Sequence, residues 1–165
     1  MIVHIRPAIA ADLADILALE QRSAMAAHYS EDEYRKIIEH GLKFTATGHR
    51  SDGEKKSQTG LALVLEEASQ VKGFLIGRVL GDEWEIENVV VAEEARKRGF
   101  GAALVDEFVK AAREQGGQAV YLEVRESNAA ARRLYEKCQF AETGRRRNYY
   151  HSPEEDAVLY ALRLE

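Results

Sequence analysis

The spacing of apolar residues predicts one strand and two helices in the N-terminal part of this chain. Alternating apolar residues over 2–7 indicate a short strand. Apolar positions three or four residues apart then indicate a helix capped by Asp12. A second helix is expected to begin at residues 30–33, where Ser-Glu-Asp-Glu forms a capping box, and to end at Gly41. The chain therefore opens in the order strand, helix, helix.

A polar stretch separates this part from a region rich in strands. Residues 45–60 contain many Gly, Ser, Thr and Lys residues and predict a long mobile loop, and loops of this length are usually functional or disordered. Three apolar, β-branched segments follow over 61–66, 71–80 and 84–91. Short polar turns lie between them, so these three strands are expected to form an antiparallel meander.

Helical spacing returns after the third strand of this meander. Leu104, Val105 and Phe108 lie on one apolar face of a helix predicted over 100–115. A further strand is predicted over 119–125. Because one crossover helix separates it from the strand over 84–91, the two strands are expected to be parallel neighbours.

The C-terminal part adds one helix and two strands. Ser127 or Asn128 caps a helix that is expected to end near 138, and strands follow near 140–148 and 157–164. The complete order is βααβββαβαββ, with helices available to both faces of a single mixed, mostly antiparallel sheet. We therefore expect an α+β fold with three layers, α/β/α, in a single domain that spans 1–165.

The most informative chemistry lies between the strand over 84–91 and the helix over 100–115. Val89–Val91 are followed by the basic residues Arg96–Arg98, and then by Gly99 and Gly101 at the predicted helix start. The first N–H groups of a helix lack intrahelical partners and carry the positive end of its dipole. Since glycine lets a ligand approach this backbone, the turn predicts a phosphate site, in particular one for pyrophosphate.

Two common phosphate-binding motifs do not fit this turn. A P-loop requires Gly-Lys-Ser/Thr, but Gly101 is followed by Ala102 and Ala103. A dinucleotide-binding fingerprint requires a third glycine at the position of Leu104. A basic, flexible turn without a ligand is the alternative that this short motif leaves open.

Composition narrows the class of protein. The chain has 165 residues, of which 45% are hydrophobic and 31% charged, as is usual for a globular protein. No apolar run reaches membrane-spanning length, the first residues do not resemble a signal peptide, and one cysteine excludes an internal disulfide. These features suit a cytoplasmic protein. The net charge of −5 argues against nucleic-acid binding and is compatible with a cationic substrate such as an amine.

The sequence predicts neither a metal site nor a cysteine nucleophile. The five histidines show no ligand spacing, so no metal is expected. Cys138 has no histidine within the neighbouring motifs that could activate it as an acyl carrier. It is therefore expected to pack as a small hydrophobic residue.

The turn and several C-terminal segments resemble a known family. Arg96-x-x-Gly99-x-Gly101, preceded by three valines, resembles the acetyl-CoA signature of the GNAT N-acetyltransferases. Within that superfamily the C-terminal half is similar to the bacterial ribosomal-protein-alanine N-acetyltransferases. The resemblance is strong from about 61 to 162 and weaker over 2–40. The similar segments are 122–125, 127–131, 134–136, 146–150 and 155–157.

The resemblance implies roles for individual residues. The backbone of Val89, Val90 and Val91 is implied to hold the pantetheine arm of acetyl-CoA. Asn128 is implied as a further cofactor contact. Glu123 is implied as the general base and Tyr135 as the general acid. The cofactor-binding residues at the turn are implied to be Arg96, Lys97, Arg98, Gly99, Phe100, Gly101 and Ala102.

Glu123 also stands out within its own strand. Its apolar neighbours point to one side of the sheet, whereas Glu123 and Arg125 point to the other. Such a strand is expected to be buried on both faces, so the carboxylate requires either a cation, such as Arg125, or a catalytic role. Glu85 and Glu87 on the neighbouring strand are rival bases, and Glu87 is the stronger of the two.

Two positions in the last helix carry further expectations. Tyr135 shares a helical face with Ala131 and Cys138, so it either packs in the core or hydrogen-bonds the leaving thiolate. The family usually has glycine where this chain has Gln139. A left-handed backbone at that position would cost roughly 1 kcal/mol or more.

From these features we expect an acetyl-CoA-dependent N-acetyltransferase that acts by direct transfer, without a nucleic-acid or membrane partner. The expected acceptor is a protein N-terminal α-amine, such as that of a ribosomal protein. Tyr149 and Tyr150 are expected to line one side of its groove, and the acidic residues 31–33 to favour a basic peptide tail on the other. Acetylation of a small amine or a lysine is the alternative among enzymes. A non-catalytic acyl-CoA sensor would need neither Glu123 nor Tyr135.

Overall fold

The computed structural model describes residues 2–41 and 59–165, and its described strands form one sheet. The spatial order is β1-β2-β3-β4-β5-β7-β6, in which only β4 and β5 are parallel neighbours. This confirms the mixed, mostly antiparallel sheet. In chain order the strands are β1 (Val3–Pro7), β2 (Thr59–Glu67), β3 (Gln70–Leu80), β4 (Glu83–Val91), β5 (Ala119–Arg125), β6 (Ala141–Tyr150) and β7 (Glu155–Arg163).

Four α-helices complete the predicted order βααβββαβαββ. They are α1 (Leu13–Arg22), α2 (Glu31–His40), α3 (Phe100–Glu114) and α4 (Ala129–Lys137). The predicted loop over 45–60 lies outside the described residues, except for Thr59 and Gly60, which begin β2. No helix within the described residues has the length and apolar content to cross a membrane.

The helices cover both faces of the sheet, which confirms the three-layer arrangement. Phe74 on β3 packs edge-on against Tyr34 of α2, with ring centroids 6.1 Å apart. Its neighbour Gly73 points to the opposite face, where an added Cβ would lie 3.3 Å from Leu104 Cδ1 of α3. Because central strands are then covered on both sides, all residues over 61–65 are buried.

Local signals at the helix ends are confirmed with one exception. Ser30 accepts a hydrogen bond from the backbone of Glu33 at 3.1 Å, and the Glu33 carboxylate accepts one from the Ser30 backbone at 2.7 Å. Asn128, not Ser127, caps α4. The exception is Asp12, which makes no cap hydrogen bond to α1. Its carboxylate instead pairs with Arg6 at 2.7 Å, because a guanidinium is a stronger partner than a helix N–H.

Two turns require a left-handed backbone. Gly99, just before α3, has φ of 80°. Gln139, which follows α4, has φ of 74° and confirms the left-handed position where the family usually has glycine. A residue with a Cβ is strained there, so Gln139 is expected to lower stability relative to glycine.

The strands β4 and β5 separate towards their carboxyl ends. Their parallel ladder joins Glu83–Ile86 to Ala119–Leu122 and stops there. At the same level the pairing between β3 and β4 shifts by one residue. Gly77 of β3 pairs with Ile86 of β4, whereas Ile76 pairs with Asn88. The extra residue is Glu87, so a β-bulge turns β4 away from β5. The sheet therefore opens at the carboxyl ends of its two parallel strands.

Candidate active site

A cavity of about 280 Å³ lies where β4 and β5 separate. It is lined by the ends of both strands, by α4 and by the segment that joins α1 to α2. The structure brings together six of the candidate site residues named in the sequence analysis, from β4, β5, β6 and α4 with its cap. The turn over 96–102 does not line this cavity. The six residues are Glu87, Val89, Glu123, Asn128, Tyr135 and Tyr150.

Glu123 faces the cavity from β5, and its side chain is 24% exposed. Its Oε1 lies 2.9 Å from Arg146 Nε on β6, so the cation beside this carboxylate is Arg146. Arg125 pairs instead with Glu155 at 3.2 Å. The charge of Glu123 is also the largest cause that raises the pKa of Tyr149. Glu123 thus sits in a polar environment that leaves part of the carboxylate accessible.

Glu87 is held more tightly, and only 10% of its side chain is exposed. Its Oε1 lies 2.5 Å from Arg78 Nη2 on β3. Its Oε2 accepts a hydrogen bond from the Tyr29 hydroxyl at 3.0 Å. Burial and the charge of Glu87 raise the pKa of Tyr29, so this phenol stays protonated and keeps donating. Both oxygens of Glu87 are therefore engaged in holding neighbouring elements together.

A third carboxylate makes this face of the sheet acidic. Burial raises the pKa of Glu85, and the nearby charge of Glu87 raises it further. The charge of Glu123 also raises the pKa of Glu85, whereas the charges of Arg78 and Arg146 lower it. Three carboxylates thus share two guanidinium partners, which favours the approach of a cationic substrate.

Tyr135 is both a core aromatic and a cavity residue. Its ring packs against Phe140 and Tyr160, with centroids 5.9 and 6.4 Å away, and the residue is 6% exposed. Burial raises the pKa of its phenol. Within the described residues no group hydrogen-bonds the hydroxyl, while the residue lines the cavity. Packing in the core and hydrogen bonding to a leaving thiolate are therefore compatible roles for Tyr135. The phenol remains a hydrogen-bond donor at neutral pH.

Asn128 has a structural role at the edge of the cavity. Its Oδ1 accepts a hydrogen bond from the backbone of Ala131 at 3.2 Å, which caps α4. A cap oriented in this way leaves the side-chain NH₂ group as a donor beside the cavity.

The basic turn is less positive than its sequence suggests. Arg98 makes a bidentate pair with the buried Glu67 at 2.7 and 2.9 Å, and its guanidinium stacks 4.5 Å above the ring of Phe100. Its charge is therefore neutralised within the protein. Arg96 donates through Nε to the Val91 carbonyl at 3.2 Å, and Lys97 is exposed. The expected positive charge thus comes from Arg96 and Lys97.

The start of α3 remains suited to an anion. In the part of the chain that the structure describes, no side chain caps this helix, and its first turn carries no acidic residue. Gly101 has a packing role as well, because an added Cβ would lie 3.2 Å from Leu134 Cδ2 of α4. The backbone N–H groups of the first turn therefore combine the helix dipole with the nearby charges of Arg96 and Lys97.

Asn88 was not singled out in the sequence. It is buried, and its amide makes two hydrogen bonds with the backbone of Ala27, at 3.0 Å to the carbonyl and 3.3 Å from the N–H. These bonds hold the segment between α1 and α2 against the bulge in β4. A buried amide in a strand of valines is the signal that could have revealed this contact.

The acidic residues at the start of α2 serve their own helix. Glu31 and Asp32 pair with Arg35 at 2.7 and 3.1 Å, and Glu33 completes the capping box. None of the three lines the cavity. The acidic side of the cavity itself is formed by carboxylates on β4 and β5, and a role of residues 31–33 towards a peptide tail stays a prediction.

Cys138 offers no nucleophile. It is half-buried against the core, and burial raises the pKa of its thiol, which disfavours the thiolate. Among the described residues no three His, Cys, Asp or Glu side chains are grouped in a way that could hold a metal ion.

Comparison with known proteins identifies the family. Residues 15–140 match the acetyltransferase (GNAT) family. The chain belongs to this family. Its fold is shared with Arabidopsis thaliana NAA60, which was solved in complex with acetyl-CoA, at a TM-score of 0.82 and 18% identity over 99% of both chains. The enzyme is therefore an acyltransferase with the GNAT fold.

Two bacterial N-acetyltransferases are similar in sequence. The [ribosomal protein bS18]-alanine N-acetyltransferase of Haemophilus influenzae is 39% identical over 120 residues, which are 69% of this chain and 82% of that protein. The structure of the ribosomal-protein-S18-alanine N-acetyltransferase of Escherichia coli matches with a TM-score of 0.77 and 29% identity. The match covers 99% of this chain and 95% of the Escherichia coli chain.

Proposed function

We propose that this GNAT enzyme transfers the acetyl group of acetyl-CoA to the N-terminal α-amine of a protein. The observation that carries the proposal is the opening between β4 and β5, where Glu123 and Tyr135 face one cavity. Its relatives are named for the alanine of ribosomal protein bS18, so we propose an N-terminal alanine of a ribosomal protein as the acceptor. A cytoplasmic location fits this function.

Acetyl-CoA fits the residues around the opening. The edge of β4 at Val89–Val91 is not paired with β5, so its backbone can hydrogen-bond an extended ligand such as pantetheine. The uncapped start of α3, together with Arg96 and Lys97, suits the pyrophosphate. Asn128 can donate through its free amide group. When bound, acetyl-CoA would supply an activated acetyl group and a thiolate leaving group.

Glu123 is the base in this proposal. An α-amine with a pKa near 8 is about one-tenth neutral at pH 7, whereas a lysine near 10.4 is about one part in 2,500 neutral. A partly exposed carboxylate beside Arg146 can accept a proton from an α-amine, whose deprotonation costs little. The same site would have to supply several kcal/mol more for a lysine. This difference favours an N-terminal acceptor.

Tyr135 is the donor to the leaving sulfur. Because burial raises the pKa of this phenol, complete transfer of its proton to a thiolate is further uphill than for a free tyrosine. Its contribution is therefore chiefly a hydrogen bond that stabilises charge on sulfur as the bond to the acetyl carbon breaks. The hydroxyl is available for this bond, because no described group occupies it.

Transfer to a short peptide that begins Ala-Arg and contains an internal lysine tests the proposal. We expect acetylation of the free peptide at its α-amine, detected by mass spectrometry of fragments. The same peptide with a blocked α-amine should not react. Equal rates for the two peptides would make the enzyme a lysine or general amine acetyltransferase. Binding of acetyl-CoA without transfer to any amine would support a sensor instead.

A further inference from the structure

A buried carboxylate beneath the active site has no place in the chemistry described so far. Glu20 on α1 has a side chain only 5% exposed. One oxygen, Oε1, lies 2.9 Å from His28 Nδ1. The other, Oε2, is buried and accepts no hydrogen bond from the described part of the chain. A carboxylate in such a position is costly to bury, so a purely structural site would be better filled by an apolar residue.

The partner of Glu20 faces the active site. His28 belongs to the segment between α1 and α2, lines the cavity, and has a side chain that is 64% exposed. Because an ionised carboxylate can only accept a hydrogen bond, the contact assigns a proton to His28 Nδ1. In the neutral ring Nε2 then carries the lone pair. Glu20 thus orients the imidazole as a proton acceptor that contacts both the cavity and solvent.

The reaction in the proposed function requires such an acceptor. An α-ammonium group that becomes an amide loses two protons from nitrogen. One of them is balanced by the proton that the released thiol gains, and the other must leave for solvent. Glu123 can hold only one proton at a time, and one of its oxygens is paired with Arg146 at 2.9 Å. A second carrier with access to solvent completes the balance.

We propose that His28, oriented by Glu20, takes the first proton from the incoming acceptor ammonium and releases it to solvent. The nitrogen–hydrogen bond of the ammonium breaks as a bond forms to His28 Nε2. The neutral amine then attacks the acetyl carbon, Glu123 takes the second proton, and the bond from that carbon to sulfur breaks. The proton on Glu123 balances the one that the departing thiolate gains, so only the first proton leaves for solvent. The proposal rests on the proposed function and names a catalytic residue that the sequence motifs do not contain.

The charged and titratable groups around His28 belong to several elements. Glu20 approaches from α1, and the buried Tyr34 belongs to α2. Burial and the neighbouring Glu20 raise the pKa of Tyr34, so it stays neutral. Glu87 lines the cavity from β4, and Glu123 and Arg125 line it from β5. Tyr150 lines it from β6, and Tyr29 donates a hydrogen bond to Glu87.

His28→Gln tests the proposal through the pH dependence of kcat/KM for the Ala-Arg peptide. An enzyme without the first acceptor can use only the neutral form of the amine, which is about one-tenth of the total at pH 7. We expect kcat/KM to fall about tenfold at pH 7. Near pH 9.5, where the α-amine arrives neutral, the variant should come within about twofold of the wild type. Glu20→Leu, which removes the acceptor for Nδ1–H, should act in the same direction.

A matched control and a second readout separate this role from a structural one. His40→Gln changes an exposed histidine on α2 and should leave kcat/KM unchanged at both pH values. Imidazole nitrogen NMR should identify the Nδ1–H tautomer of His28 in the wild type and its loss in Glu20→Leu, which leaves no acceptor at this position. A loss of rate that is equal at pH 7 and 9.5, no loss at pH 7, or the Nε2–H tautomer would each overturn the proposal.

Failure of this inference can be told from failure of the proposed function. If the wild type does not acetylate the peptide, the proposed function itself is wrong. If Glu123→Gln is fully active, the assignment of Glu123 as the base is wrong. If the wild type transfers acetyl, Glu123→Gln is impaired and His28→Gln matches the wild type at pH 7, only the role of His28 is wrong.

Discussion

At the scale of single residues, the candidate site separates two carboxylates by what surrounds them. Both carboxylate oxygens of Glu87 have a partner, one in Arg78 and the other in Tyr29, and 10% of its side chain is exposed. Glu123 has one guanidinium partner and a side chain that is 24% exposed towards the cavity. A base must reach the acceptor nitrogen, so the less encumbered carboxylate is better suited to that task.

Glu123→Gln should therefore lower kcat by roughly 10²-fold or more, because a carboxamide cannot accept the proton. Glu87→Gln is the matched control, since it can still accept a hydrogen bond from Tyr29 and should keep kcat within about threefold. Acetyl-CoA binding, measured by calorimetry, should be nearly unchanged in both variants. An inactive Glu87→Gln enzyme beside an active Glu123→Gln enzyme would assign the base to β4 instead.

Tyr135→Phe should lower kcat by about 10²-fold while leaving the thermal midpoint nearly unchanged. The ring retains its packing against Phe140 and Tyr160, and the lost hydroxyl has no hydrogen-bond partner among the described residues. Steady-state kinetics and thermal melting measure the two effects. Full activity in this variant would leave Tyr135 with a packing role alone.

At the scale of elements, the start of α3 assigns different tasks to neighbouring basic residues. Arg98 is paired with Glu67, whereas Arg96 and Lys97 lie beside the uncapped helix end. Gly101 is a poor position for a test by added bulk, because its Cβ would meet Leu134 at 3.2 Å. Replacing a basic residue beside the start of α3 by a neutral one tests this site without such a contact.

Lys97→Gln should weaken acetyl-CoA binding by about fivefold, or roughly 1 kcal/mol, with a larger effect at low salt. The control is the double variant Glu67→Gln with Arg98→Gln, which removes the ion pair as a unit and should leave affinity within about twofold. Calorimetric titration gives both values. Equal weakening in the two proteins would mean that Arg98 serves the cofactor despite its pairing.

The N-terminal strand is anchored by a carboxylate whose pKa is perturbed. Burial alone would raise the pKa of Asp12, but hydrogen bonds from Arg6 and the Ile9 backbone outweigh it and lower the pKa. The stabilisation is then fully present above the unfolded value near 3.9 and is lost as pH falls through the lowered folded value. Both partners of Asp12 belong to the segment around β1.

Asp12→Asn should therefore lower the free energy of unfolding by about 1–3 kcal/mol at pH 7. The difference from the wild type should shrink below about pH 4. Asp15→Asn, an exposed change in the first turn of α1, should cost less than about 1 kcal/mol. Urea unfolding at pH 7 and 3 measures these values. A difference between wild type and Asp12→Asn that is independent of pH would show that the Arg6 pair contributes nothing.

At the scale of the whole molecule, the sheet is continuous at one end and divided at the other. Pairing between β4 and β5 stops at Ile86 and Leu122, and the divided end holds the proposed cofactor site. A ligand bound there would contact both halves of the sheet. The stability of the whole domain is thus expected to depend on the cofactor.

Acetyl-CoA at about 100 times its dissociation constant should stabilise the folded state by roughly 2.7 kcal/mol. For a domain of this size that raises the thermal midpoint by about 5–10 °C. Hydrogen exchange should slow at the amides of 87–91 and 123–125 that point into the gap. Stabilisation without protection of these two segments would locate the cofactor elsewhere.

Much of the fold follows from local order in the sequence. The capping box at Ser30, the left-handed Gln139 and the apolar stripe of α3 each depend on residues within a few positions of one another. Periodicity therefore predicted the elements and their order, and one crossover helix decided that β4 and β5 are parallel. The strand position of Glu123 indicated a residue that lines the cavity, whereas the turn around Gly99 lies outside it and stays a prediction for the cofactor phosphates.

Only the tertiary structure decided which charges meet. Arg98 finds Glu67 across 31 residues and Asn88 finds Ala27 across 61, while Asp12 pairs with Arg6 and does not cap its helix. Glu20 and His28 share no motif that marks them as partners. Periodicity states which face of a strand or helix a side chain occupies, but a buried charge takes the best partner that folding brings within reach, and that choice depends on contacts distant in sequence.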